Sequence, residues 1–88
     1  MALEKIVKND KKEVILNDEW DFSSVQVRTA TIIREDVTDL SRSFHRHVVM
    51  PDEDITGEDA DVQAICNVVF TQECKDNYQA FLDSQTNP

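Results

Sequence analysis

The sequence predicts an α+β domain: a small, bent antiparallel sheet followed by C-terminal helices. Three observations carry this. Two β-branched, alternating runs sit back to back at residues 25–34 and 40–50 with only a polar turn between them. Proline 51 then ends the strand pattern, because proline cannot donate to a sheet ladder. From residue 60 onward the apolar spacing changes from two to three and four, the period of an amphipathic helix.

Taken in order, the first 21 residues are weakly patterned. Glu13-Val-Ile-Leu16 is a short apolar run bounded by Lys11-Lys12 and Asn17-Asp18, and reads as a strand. Trp20 and Phe22 follow in an acidic stretch and read as core aromatics, since aromatic rings dominate core burial. Val25 to Arg34 is free of Gly and Pro and is the clearest strand. Glu35 to Asp39 is a turn without glycine, and Leu40 to Met50 alternates again.

A hairpin centred near Val37 sets Ile32 opposite Arg42, Ala30 opposite Phe44 and Arg28 opposite Arg46. One face then carries Arg28, Ala30, Ile32, Arg34, Leu40, Arg42, Phe44, Arg46 and Val48. The other carries Val25, Val27, Thr29, Thr31, Ile33, Ser41, Ser43, His45 and His47. Both faces are mixed, the pattern of a strand that bends or is covered by a neighbouring subunit. A one-residue slip would exchange them. These two strands have no internal lysine, glycine or proline to guard an edge, which invites pairing between chains.

Asp52 to Asp61 is an acidic loop holding the one glycine of the sequence, Gly57. Thr56 and Asp59 are candidate caps for the helix that follows. Val62, Ile65, Cys66 and Val69 form one apolar stripe; Cys74, Tyr78, Phe81 and Leu82 form a second, rotated by more than about 90° at 100° per residue. The offset predicts a break near Phe70–Thr71, with Thr71 capping a second helix.

Composition narrows the function classes. The 88 residues make one domain, residues 1–88. No apolar run approaches the ~18–20 residues of a membrane span, and Met-Ala-Leu-Glu-Lys has no signal-peptide core. The net charge of −9 is unevenly spread: residues 1–21 carry −2, residues 22–50 carry +1 and residues 51–88 carry −8. All four arginines (Arg28, Arg34, Arg42, Arg46) and both histidines lie in the middle third. Arg is the residue of bidentate phosphate and carboxylate recognition. Arg28, Arg34, Arg42, Phe44, His45, Arg46 and His47 are therefore the candidate nucleic-acid-binding residues, with the rings available for base stacking. The competing reading is an ion-pair surface answered by acidic segments of the same or a neighbouring chain. Unanswered like charges across strands are destabilising, so either phosphate or the 52–61 loop of a neighbour is expected to face the arginines.

Other chemistry is poorly supported. His45-x-His47 has metal-ligand spacing, but Cys66 and Cys74 would have to complete the set. Asp52-x-Asp54-x-Thr56-Gly57 opens like a calcium loop yet places Gln63 where a bidentate Glu is needed. There is no phosphate loop, nucleophile elbow or zinc-protease motif, and two thiols on buried stripes are inert. No enzyme, cofactor or metal is expected. Cys66 and Cys74 are expected to stay free in a reducing cytoplasm.

The run Val-Arg-Thr-Ala-Thr, Arg-Glu-Asp, Ser-Arg-Ser-Phe-His-Arg-His-Val, an acidic loop and Asp-Val-Gln-Ala-Ile-Cys resembles a family of small marine bacteriophage proteins associated with cyanophages and ocean metagenomes. The resemblance spans residues 25–82. It implies an Sm-like barrel: a strongly bent sheet that joins its neighbours edge to edge in a homo-oligomeric ring, binding RNA or DNA in the cytoplasm of an infected bacterial host or in a virion. A phage accessory or assembly protein that contacts only protein is the alternative. The Sm pattern is not matched throughout. Sm proteins begin with a helix, whereas the helices here come last, and the expected motif glycines are missing. No uridine-pocket residue carries over.

Overall fold

A computed structural model describes residues 2–86. Three strands come first, β1 (Leu3–Asn17), β2 (Phe22–Glu35) and β3 (Thr38–Val49), followed by helices α1 (Ala60–Val69) and α2 (Gln72–Thr86). The strands form one antiparallel sheet in the order β1-β2-β3. The sheet is open. Its two outer edges belong to β1 and β3, and neither has a partner among the described residues.

The β2–β3 register is the expected one. Ile32 faces Arg42, Ala30 faces Phe44 and Arg28 faces Arg46. It departs at the tip, where Arg34 pairs with Asp39 and Glu35 with Thr38, leaving Leu40 as an extra, bulged residue. Asp36 takes a left-handed φ of 54° in the two-residue turn; Asp tolerates that region because its short carboxylate bonds locally.

The strand expected at Glu13–Leu16 is in fact 15 residues long. Its first half alternates lysines with Ile6 and Val7, too polar to announce a strand by hydrophobicity. Pairing with β2 along its whole length imposes the conformation instead. The four lysines also suit an edge strand, since like charges there discourage pairing with the same edge of another copy. Asp10 is a bulge, inserted between the pairs Asn9–Thr29 and Lys11–Arg28.

The core lies at one end. Phe22, Val25, Val27 and Val49 pack with Val62, Cys66, Phe70, Cys74 and Tyr78. Phe22 sits in an aromatic cluster, 5.0 Å from Tyr78 and 5.3 Å from Phe81 between ring centres, and Trp20 meets Phe81 edge-on at 5.8 Å. Both N-terminal aromatics therefore serve the core, as the sequence suggested. The helices break where the stripes rotate: Phe70 ends α1, and Thr71 Oγ1 accepts the Cys74 N–H at 3.2 Å, capping α2. Asp59 is the N-terminal boundary residue of α1, but its carboxylate makes no cap bond and turns to the sheet instead. Burial of Val62 and Cys66 on one side and Cys74 and Tyr78 on the other confirms the two stripes.

The helix-packed face of the sheet carries Val25, Val27 and Val49. Side chains alternate along a strand, so Ala30 and Ile32 belong to the opposite face. Both are fully buried and lie outside the helix-bound core. Ile32 is flanked by Ile6 and Arg42, and Ala30 by Lys8 and Phe44. The sheet thus changes its buried face midway, near Arg28, beside the Asp10 bulge. The molecule is correspondingly long. It measures 59 × 27 × 20 Å with a radius of gyration of 17.1 Å, against about 12 Å for a compact domain of this length.

Candidate interaction face of the sheet

The seven candidate residues divide between the two faces. Arg28, Arg34, Arg42, Phe44 and Arg46 share the face of Ala30 and Ile32, while His45 and His47 lie on the helix-packed face. The histidines and Phe44 therefore cannot form one stacking platform.

Three of the four arginines are answered inside the chain. Arg28 makes a bidentate pair with the bulged Asp10, Nε to Oδ1 at 3.0 Å and Nη2 to Oδ2 at 2.8 Å. Its guanidinium also lies over the Phe44 ring, 4.2 Å from the centre. Asp39 serves two partners, accepting from Arg34 Nε at 2.8 Å and Arg42 Nη2 at 3.1 Å. The Arg28 hydrogen bonds hold the Asp10 carboxyl below the usual range, and those of Arg34 and Arg42 do the same for Asp39. Arg46 has no acidic partner among the described residues.

This corrects the expectation that phosphate or a neighbour's 52–61 loop must answer all the arginines. The answering acids, Asp10 and Asp39, are local. Asp39 was visible as a turn residue. Asp10 could not be assigned to Arg28, because the pairing depends on a strand and a bulge that leave no hydrophobic signature.

Part of the acidic loop is used within the chain on the other face. Glu58 meets His47 Nε2 at 2.9 Å, Lys12 Nζ reaches Asp61 at 3.5 Å, and Asn9 donates to Asp59. These ties fasten the start of α1 across all three strands, from β1 to β3. His47 is accordingly a docking residue for α1. Asp52 and Glu53, at the outer end of the loop, are exposed and have no cationic partner among the described residues.

The face opposite the helices is left with a mixed surface. Phe44, Val48 and Ile15 are 46%, 42% and 43% exposed. Lys11, Arg28 and Arg46 form one row across the three strands, and Lys8, Ala30 and Phe44 form the next. Glu13 pairs with Lys11 at 3.3 Å, which leaves Lys8 and Arg46 as cations without an acidic partner among the described residues on this face.

The remaining chemistry is sparse. Cys66 and Cys74 are buried and free, and burial pushes the Cys66 thiol up, away from nucleophilic use. Cys74 Sγ accepts the Ser23 N–H at 3.4 Å, a packing role that joins α2 to β2. Among the described residues no three His, Cys, Asp or Glu side chains converge as a metal site, and no helix is long and apolar enough to cross a membrane. A cavity of about 260 Å³ is lined by Pro51, Glu53, Ile55, Asn67, Phe70 and Lys75, among others. Asp54 and Cys66 also line it; the Asp54 carboxylate is taken up by the Thr56 N–H. The chain matches no protein-family model, no curated protein and no solved structure at a significant level.

Proposed function

We propose that this chain is a non-enzymatic protein that works as a homo-oligomer, its copies joined through the open edges of the sheet. The observation that carries the reading is the shape. A chain of 88 residues with a 17.1 Å radius of gyration leaves half of a long sheet without a covering layer, whereas a stable domain buries its sheet against something. The 12-residue edge of β3 carries no lysine or proline, the usual guards against edge pairing. The β1 edge carries four lysines, whose like charges oppose pairing of β1 with another β1, and pairing β1 of one copy with β3 of the next gives a head-to-tail contact that closes into a ring or runs as a filament. Closure of the sheet into a barrel-like wall would then come from the neighbour. The resemblance to ring-forming phage proteins of Sm-like fold points the same way.

A second reading is favoured by one observation: Phe44 is half exposed between Arg42 and Arg46 on an uncovered face, an arrangement suited to single-stranded nucleic acid. The overall charge of −9 opposes it, as does the internal pairing of three arginines. Assembly on protein contacts is the better supported of the two.

Light scattering across a concentration series, followed by titration of labelled single-stranded RNA and DNA at several salt concentrations, tests both. The proposal expects a mass that is a multiple of 10.1 kDa and no salt-dependent nucleic-acid affinity. A monomer throughout would refute self-assembly. A linear fall of log affinity with log salt would favour the second reading.

A further inference from the structure

We infer that the uncovered face of the sheet, at Arg46 beside Phe44, receives the Asp52-Glu53 end of the acidic loop of a second copy. The inference rests on the self-assembly reading and names a contact additional to the edge pairing.

Charge complementarity carries it. Segment 51–88 holds nine acids and one lysine. Glu58, Asp59 and Asp61 are tied to their own sheet, and Asp54 is turned inward to its own backbone, accepting the Thr56 N–H at 2.9 Å. Asp52 and Glu53 are therefore the acids of this loop that remain exposed without a cationic partner among the described residues, Glu53 beside the cavity that Lys75 also lines. On the sheet face, Asp10, Glu13 and Asp39 already have cationic partners, so Lys8 and Arg46 are the cations left to answer an incoming carboxylate. They lie one row apart on opposite edge strands, Lys8 in the row of Ala30 and Phe44 and Arg46 in the row of Arg28.

The loop of the same chain is engaged with the opposite face of the sheet through Glu58, Asp59 and Asp61, so its Asp52-Glu53 end needs another copy to supply the complement. A short acidic loop also suits this face better than a long polyanion. It meets the local cations without laying further negative charge along a chain of net charge −9, within the ~8–10 Å over which charges act at ordinary ionic strength. Phe44 and Val48 flank Arg46 along this face of β3 and supply apolar area on either side of the ion pair. Loop and receiving face are different surfaces of the chain, so the contact can repeat from copy to copy alongside the edge pairing.

The test is a charge exchange read by dilution of the assembled protein under light scattering, with circular dichroism to confirm folding. Arg46→Glu should raise the concentration at which the assembly dissociates by about tenfold, as loss of a complementary interfacial charge does. Arg46→Glu combined with Glu53→Arg should return it close to the original value, and added salt should weaken the original protein more than Arg46→Gln. The same midpoint and salt dependence in Arg46→Glu as in the unaltered chain would overturn this contact and leave edge assembly standing. Weakening without rescue by Glu53→Arg would overturn the loop as occupant. Loss of single-stranded RNA binding with assembly unchanged would assign the face to phosphate. A chain that is monomeric at every concentration would overturn the self-assembly reading itself.

Discussion

Replacing Phe22 and Phe44 by leucine separates the one-ended core from the open face. Phe22 is 4% exposed and makes two close aromatic contacts, at 5.0 Å with Tyr78 and 5.3 Å with Phe81. Leucine keeps much of the volume and loses both ring contacts, each worth about 0.5–1.5 kcal/mol beyond area burial, so Phe22→Leu should cost about 1–3 kcal/mol. That is a large share of the roughly 4–13 kcal/mol expected for a domain of this length. For a chain of this size each kcal/mol lowers Tm by about 4–8 °C. Phe44, at 46% exposed, loses its contact with the Arg28 guanidinium as leucine and should cost about 0.5–1 kcal/mol, less than Phe22→Leu. Thermal and urea melts of both variants, run dilute enough to dissociate any assembly, measure the difference. Equal losses would refute the reasoning, because the far half of the sheet would then hold a second core within the single chain.

Three further outcomes follow from named contacts. Thr71→Ala removes the hydroxyl that caps α2 and should cost about 1 kcal/mol in urea melts, with Thr71→Ser largely retaining stability. Asp39 is held below its ordinary value of 3.8 by Arg34 and Arg42. Its folded pKa is thus depressed, so its contribution is present above the unfolded value and lost as pH falls through the folded one; the gap in urea midpoint between the original chain and Asp39→Asn should be open near pH 6–7 and close below about pH 4. Cys66 and Cys74 are buried, so a thiol reagent should label both rapidly in denaturant and only slowly in the folded protein; fast labelling under native conditions would contradict the placement of α1 and α2.

The legible parts of this fold were those written in local pattern. The alternation of Val25–Arg34 and Leu40–Met50, with a polar turn between, fixed the facing of Ala30 with Phe44 and Arg28 with Arg46. The angular offset between the Val62 and Cys74 stripes located the helix break and its Thr71 cap. What stayed hidden depended on partners distant in sequence. Residues 3–12 become a strand only by pairing with β2, and the Asp10 bulge that seats Arg28 exists only in that pairing. The change of buried face near Arg28 is likewise a property of the assembled sheet. A mixed strand shows that both faces matter, but cannot show where the helices stop. The arginine cluster was legible and so was its need for an anionic partner, but not which acids supply it: Asp10 and Asp39 answer three of the four arginines from within the chain.

Hydrogen exchange along β3 tests self-assembly through the sheet edge most directly. Alternate amides of Thr38–Val49 point away from β2 and have no strand partner among the described residues. The account predicts that these outward amides are protected at concentrations where the protein is assembled and lose protection on dilution, while the inward amides bonded to β2 stay protected throughout. Outward amides that exchange at unstructured rates at every concentration would contradict it.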